Sequence, residues 1–230
     1  LLPVAAMADS HGEGQEQKEV LVTGASTGIG RKIAEDLAAM GFNVYAGARK
    51  QKDLDELNAI ENIQAVRLDV TVQEDIDAAV ETVSKGGKGL YGLVNNAGVF
   101  IGGPLIEVGV EDYEWIMDIN VTGVYRVTQA FAPMIIDSKG RITTISSISG
   151  INSGAFFGHY TMSKHAVEAY TDSLAAEMEK FGVAVSAIEP IANAIVTARW
   201  RRIDRIVSVP KLESTLQLLR EYCTSFVTCM

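Results

Sequence analysis

Cysteine is nearly absent from this chain of 230 residues: there are two, Cys223 and Cys229, both near the C-terminus and in no metal-ligand pattern. They make neither a disulfide scaffold nor a zinc site, so no metal is expected and a reducing compartment, the cytoplasm, is the expected location. Positive charge is short as well. Twenty Lys and Arg stand against 29 Asp and Glu, a net charge of −9. A nucleic-acid partner is not expected, because phosphate contacts need a basic face. No apolar run reaches the ~18 residues needed to span a bilayer, so no membrane span is expected. What is present is 47% hydrophobic and 21% charged, an ordinary globular balance. A chain of this length suits one α/β domain with a sizeable core.

The chain opens Leu1-Leu2-Pro3-Val4-Ala5-Ala6, and Met7 begins a polar segment. Residues 1–18 read as a flexible leader. A natural start at Met7, with residues 1–6 as upstream or added sequence, is the preferred expectation. The rival is the tail of a signal peptide ending near Ala6.

The stretch that organises the rest is Val20-Leu21-Val22-Thr23-Gly24-Ala25-Ser26-Thr27-Gly28-Ile29-Gly30, followed at once by a helical pattern from Arg31. That order is strand, glycine-rich turn, helix. Gly24 permits the tight turn, Gly28 lets backbone approach a pyrophosphate, and Gly30 lets the helix pack on the sheet. The helix N-terminus offers free N–H groups to an anion. Ser26, Thr27 and Ile29 belong to the same cradle. A turn that packs and binds nothing is the alternative. The spacing differs from Gly-x-Gly-x-x-Gly, and there is no Gly-Lys-Ser/Thr ending of a triphosphatase loop.

Residues 43–48 read as a second strand, tipped by Arg49 and Lys50. A carboxylate at that tip binds the ribose hydroxyls of NAD, whereas the Arg fork can grip a 2′-phosphate, so NADP(H) is expected over NAD(H). Two solvated cations opening a helix at 51–59 are the bland alternative. A third strand, 63–68, ends at Asp69 and Val70, candidates for the adenine end; Asp69 can equally cap the helix over 73–83. A fourth strand, 89–94, ends in Asn95-Asn96-Ala97-Gly98. Asn96, Ala97 and Gly98 are expected to line the cofactor crevice, and at least one asparagine is expected to lock the turn. A long helical pattern over 111–136 follows, with Val121, Val124, Tyr125, Thr128 and Phe131 as its apolar stripe. Asn120 in its interior is unfavourable by propensity. It is either a satisfied structural asparagine or a kink that holds a water.

A fifth strand, 141–145, ends at Ser146-Ser147, and Tyr160 and Lys164 follow four residues apart. That spacing puts both on one helix face, whose buried stripe continues through Val167, Tyr170, Leu174 and Met178. A sixth strand, 183–188, closes at Glu189-Pro190. A tyrosine near its ordinary value of ~10 is a poor base at neutral pH, and a nearby cation favours the phenolate. Lys164 can supply that cation. Tyr160 then serves as general acid–base for an alcohol/carbonyl pair, and Ser147 donates to the substrate oxygen. Asn120 holds a water that links Lys164 to solvent, while the cofactor carries the hydride. Val99, Phe100, Ile101, Phe156 and Phe157 line a greasy pocket, or are buried loop or subunit-contact residues.

At this point the residues resemble the short-chain dehydrogenase/reductase family. The matches are Thr23-Gly24-x-x-x-Gly28-Ile29-Gly30, Asn95-Asn96-Ala97-Gly98, Asn120, Ser147 and Tyr160-x-x-x-Lys164, in family order and spacing over residues 19–190. The segments 89–94 and 167–174 are similar to those of retinol, steroid and hydroxybutyrate dehydrogenases. The resemblance implies a single-domain, doubly wound parallel α/β sheet of Rossmann type. It further implies a tetrad of Asn120, Ser147, Tyr160 and Lys164, a small-molecule secondary alcohol or ketone substrate, and a homodimer or homotetramer. Tyr160, Lys164 and Pro190 join the cofactor-binding set. The family usually follows the sixth strand with Pro-Gly and a threonine that close over the nicotinamide. Here Ile191 follows Pro190, and Thr197 lies too far on to take that part. Residues 191–230 therefore read as an atypical tail, of the kind a splice variant, reading-frame change or truncated design produces. A member that binds cofactor but is catalytically impaired by this segment is the alternative function.

Overall fold

The computed structural model describes residues 17–190; the proposed leader and the atypical tail lie outside these, apart from residues 17 and 18. Six strands alternate with helices. β1 (Glu19–Val22), β2 (Asn43–Ala48), β3 (Ile63–Arg67), β4 (Gly92–Asn95), β5 (Arg141–Ile145) and β6 (Ala184–Ile188) form one sheet. Its order is β3-β2-β1-β4-β5-β6, and every neighbouring pair is parallel. The helices are α1 (Gly28–Ala39), α2 (Gln51–Asn58), α3 (Gln73–Gly86), α4 (Val110–Met117), α5 (Gly123–Asp137) and α6 (Gly158–Met178). This is the doubly wound sheet expected from the sequence. Parallel strands buried on both faces need near-continuous apolar runs, and Val20, Leu21 and Val22 are all buried.

Two cores result, one on each face of the sheet. One gathers Leu21, Leu93, Ile142 and Phe131 under α3 and α5; the other gathers Val20, Val22, Val44 and Leu57 under α1 and α2. Chain order reverses between β1 and β4, since β1 pairs β2 on one side and β4 on the other. Ligands of open α/β sheets bind at such a switch point, outside the carboxyl ends of the strands.

Four expectations shift. The fourth strand starts at Gly92, not residue 89, because Gly89 turns to φ +74° and cannot extend the ladder. The helical pattern over 111–136 is broken into α4, a five-residue π turn (Asp118–Thr122) and α5. On α5, Val124, Val127, Thr128, Phe131 and Ile135 are buried, whereas Tyr125 is exposed. Tyr125 sits one residue, about 100°, off the centre of that stripe, and its ring meets Tyr170 edge-on at 5.9 Å. On α6, Val167 and Met178 are buried but Tyr170 and Leu174 only partly so. Among the described residues no helix is long and apolar enough to cross a membrane, and no group of three His, Cys, Asp or Glu gathers to hold a metal.

Candidate active site

The carboxyl ends of the strands open onto a cavity of about 620 Å³. Its floor is the turn between β1 and α1. Gly24 sits at φ +62°, and a side chain there would meet the Ala97 backbone at 2.8 Å. Gly30 leaves even less room: a Cβ would collide with the Asn96 amide and the Gly24 carbonyl. Gly28, at φ +60°, has open space where a Cβ would stand. That open backbone at the mouth of α1 is the cradle a pyrophosphate needs. Ser26, Thr27 and Ile29 line the same wall.

The turn is fastened to the neighbouring strand. The Thr23 hydroxyl accepts the N–H groups of Asn96 (2.9 Å) and Ala97 (3.0 Å). In return the Asn96 side chain donates to the carbonyls of Thr23 (2.9 Å) and Gly24 (3.0 Å). The two asparagines thus divide their labour: Asn95 is buried and donates to Thr128 on α5 at 2.8 Å, while Asn96, Ala97 and Gly98 line the cavity.

Beyond β2 and β3 the wall is Arg49, Asp69 and Val70. Arg49 pairs with Asp69 at 3.5 Å, and Arg67 donates to the Arg49 carbonyl at 3.1 Å. Burial pushes the Asp69 carboxyl up, but the Thr71 N–H and hydroxyl and the Arg49 charge more than offset this and hold it below the ordinary value. Asp69 therefore both closes the turn into α3 and faces the cavity. Lys50 instead stands at the start of α2 and is not part of the cavity wall. Lys32, unremarked in the sequence because it looks like a surface helix residue, is on that wall and pairs with Asp36.

On the other side of β4, Ser147, Tyr160, Lys164 and Pro190 line the cavity together. Ser147 leaves β5 in extended backbone and caps a short turn, its hydroxyl accepting the Ser149 N–H at 3.1 Å. Lys164 is buried and donates to the Ile145 carbonyl at 2.8 Å. Burial pushes its ammonium down to about 8, against the raising influence of Glu168. Tyr160 differs from expectation. Burial raises its phenol, the hydrogen bond with Ser147 only partly counters this, and Lys164 lies 5.6 Å from the ring centre. The ammonium is aimed at the Ile145 carbonyl, so it does not offset the burial that raises the phenol.

Asn120 stands behind the wall, in the π turn, and is 1% exposed. Its Oδ1 accepts the Val99 N–H at 2.8 Å; its Nδ2 donates to the Val99 carbonyl at 2.9 Å and to Ser163 at 3.0 Å. Both donors are used, as a structural asparagine requires, and only acceptor capacity remains. Ser163 was not legible as its partner, since the two lie 43 residues apart. Of the apolar candidates, Val99 and Phe100 line the cavity. Phe156 and Phe157 are 64% and 47% exposed, so they are not buried loop residues. The Phe100 ring meets Tyr160 edge-on at 5.2 Å and Phe157 at 5.4 Å. Phe156 sits at φ +67°, with its carbonyl accepting the Gly103 N–H at 2.8 Å.

A cavity floored by the α1 glycine turn, with a cationic fork on one flank and a Ser–Tyr–Lys group on the other, fits an elongated dinucleotide. Known proteins agree. The family model for short chain dehydrogenase matches residues 18–204. Bovine 17-beta-hydroxysteroid dehydrogenase type 6 is 36% identical over 217 residues, covering 92% of this chain and 68% of the relative. Human retinol dehydrogenase 16 is 38% identical over 198 residues, covering 84% of this chain and 62% of that protein. The chain thus spans about two thirds or less of these relatives' length. The crystal structure of a single-site variant of actinorhodin polyketide ketoreductase with NADPH superimposes with a TM-score of 0.72 at 32% identity, covering 76% of this chain and 70% of that one. A match along this much of the chain is common descent rather than a shared outline: the chain belongs to the short-chain dehydrogenase family.

Proposed function

We propose that the protein is an NADP(H)-dependent oxidoreductase acting between a secondary alcohol and its ketone, on a lipophilic, steroid- or retinoid-like substrate. The observation that carries this reading is the meeting of Ser147, Tyr160 and Lys164 on one flank of a cavity floored by the α1 glycine turn. When bound, the nicotinamide gives or takes the hydride. Tyr160 holds the proton at its hydroxyl and gives it to the carbonyl oxygen. Ser147 donates to that same oxygen as charge develops on it. Lys164 keeps a positive charge beneath the phenol and lowers the energy of the phenolate left behind. Asn120 has one acceptor site left with which to hold a water toward Lys164, and so to resupply the proton.

NADP(H) is supported by Arg49. Its pairing with Asp69 is half in solvent, worth at most about 1 kcal/mol, so a phosphate dianion can win the fork. The related polyketide ketoreductase structure was solved with NADPH. A lipophilic substrate is supported by the exposed rings of Phe100, which meets Tyr160, and of Phe157, which meets Phe100. Exposed Trp115, Tyr125 and Met162 on α4, α5 and α6 support a homodimer or homotetramer built on those helices.

The test is to titrate NADPH and NADH by fluorescence and then supply a panel of ketones and alcohols. We expect tighter NADPH binding and turnover that falls at least ~100-fold in Tyr160→Phe, with cofactor affinity kept. Turnover retained in that variant overturns the acid–base assignment. Tight NADPH binding without turnover on any substrate favours a cofactor-binding but impaired member.

A further inference from the structure

Behind the Tyr160–Lys164 face, three elements converge on a spot the reaction itself does not use. Glu168 lies one helical turn beyond Lys164 on α6, so the two share a face. The short turn Ile148–Gly150 folds over them: a Cβ on Gly150 would meet Glu168 Cγ at 2.8 Å, Glu168 Oε1 at 3.0 Å and Ser146 Oγ at 2.8 Å. Glu168 Oε1 and Ser146 Oγ are both buried, and neither has a hydrogen-bond partner among the described residues. Ser146 directly follows Ile145, whose carbonyl takes the Lys164 ammonium. A carboxylate oxygen in so tight a place needs a reason, because burial of an uncompensated anion is unfavourable. Charge on Lys164, one turn away on the same helix face, would offset that cost.

We propose that Glu168 is a positioning residue for the reaction: its carboxylate, packed beneath Gly150 beside Ser146, keeps the buried Lys164 ammonium charged and seated on the Ile145 carbonyl. This rests on the reading of Tyr160 and Lys164 as the acid–base pair. Among the other ionisable groups on elements packed against α6, Glu111, Asp112 and Glu114 of α4 and Glu179 and Lys180 just after α6 are exposed. Asp118, in the π turn, is ion-paired with Arg126 at 2.7 Å. Tyr113 of α4 meets the His159 ring at 6.1 Å. Glu189, just past β6, is buried and has interactions of its own. The β6 strand and the Ile148–Gly150 turn carry no ionisable side chain. Of all these, Glu168 is the group whose charge acts on Lys164.

The experiment follows Lys164 directly, by the 13Cε signal of lysine-labelled protein, assigned with Lys164→Arg, over pH 6 to 11. A midpoint near 8 is expected in the wild type. Glu168→Gln keeps the shape and removes the charge, so the neutral amine forms more readily and the midpoint moves down by about one pH unit. Glu168→Ala moves it the same way and carries the test if the amide variant folds poorly. The alkaline limb of kcat/KM for NADPH-dependent reduction moves down with it, while thermal midpoint and NADPH affinity at pH 6.5 stay near wild type. A Lys164 midpoint unchanged in both variants overturns the proposal. A midpoint that moves while the rate profile stays put separates the two readings: the charge coupling holds, but Lys164 takes no part in the acid–base step, and the positioning role falls with it.

Discussion

Two glycines of the same turn are expected to fail in different ways when given a methyl group. In Gly30→Ala the added Cβ collides with the Asn96 amide and the Gly24 carbonyl. Asn96 must swing out, losing its bonds to Thr23 (2.9 Å) and Gly24 (3.0 Å), each worth about 1 kcal/mol. The Gly24 carbonyl is backbone and can move only with the whole turn, an overpacking cost of about 1–3 kcal/mol. The sum, about 3–5 kcal/mol, is a large share of the stability of a typical domain. In Gly28→Ala nothing stands within 4 Å of the new Cβ, and only the left-handed backbone is strained, by about 1–2 kcal/mol. That methyl instead occupies the cradle over the α1 N-terminus. The assay pairs urea unfolding, followed by circular dichroism, with NADPH titration. Gly30→Ala should lose about 3–5 kcal/mol; Gly28→Ala should lose only about 1–2 kcal/mol but bind NADPH at least ~10-fold more weakly. Equal destabilisation of the two variants, or wild-type NADPH affinity in Gly28→Ala, would refute the assignment of packing to one glycine and ligand approach to the other.

Further outcomes follow from single side chains. Asn120→Ala leaves the Val99 N–H, the Val99 carbonyl and the Ser163 hydroxyl without their partner, so urea unfolding should show a loss of about 2–4 kcal/mol; a loss under about 1 kcal/mol would contradict the geometry. Arg49→Ala should weaken NADPH about tenfold, or about 1.4 kcal/mol, and leave NADH nearly unchanged; parallel losses for both cofactors would sink the phosphate contact. Burial, reinforced by the hydrogen bond and charge of Glu19, pushes the Tyr45 phenol up to about 12. Its folded value lies above the unfolded one of ~10, so its stabilisation is intact below about pH 10 and is lost as pH rises from there through 12. Tyr45→Phe should remove that part of the alkaline unfolding profile, measured at fixed urea; an unchanged profile would count against it.

The parts of the site read from sequence were those set by local rules. Glycines bounded by a strand and a helix state their turn directly, and Tyr160 and Lys164 share a face because α-helical spacing makes residues four apart neighbours. The tip sequence Asn95-Asn96-Ala97-Gly98 was recognisable as a lock, but not which asparagine turned which way: that depends on Thr128, 33 residues on, and Thr23, 73 residues back. The π turn was hidden for a similar reason. A helical pattern carrying one extra residue still looks helical, and only the Val99 backbone, 21 residues back, shows why Asn120 sits where it does.

The sequence by itself determined the order of elements, the glycine turn, the strand tips that carry polar residues, and the phenol–ammonium pair, because each follows from spacing within a short stretch of chain. The tertiary structure alone decided the rest. It placed Arg49 and Tyr160 on one cavity, turned the Lys164 ammonium to Ile145, raised the Tyr160 phenol by burial, and set Glu168, Ser146 and Gly150 against each other. The physical reason is the strand order β3-β2-β1-β4-β5-β6. Which carboxyl ends become neighbours is fixed by how the crossovers pack, and burial, which moves the phenol and the ammonium in opposite directions, exists only once they have.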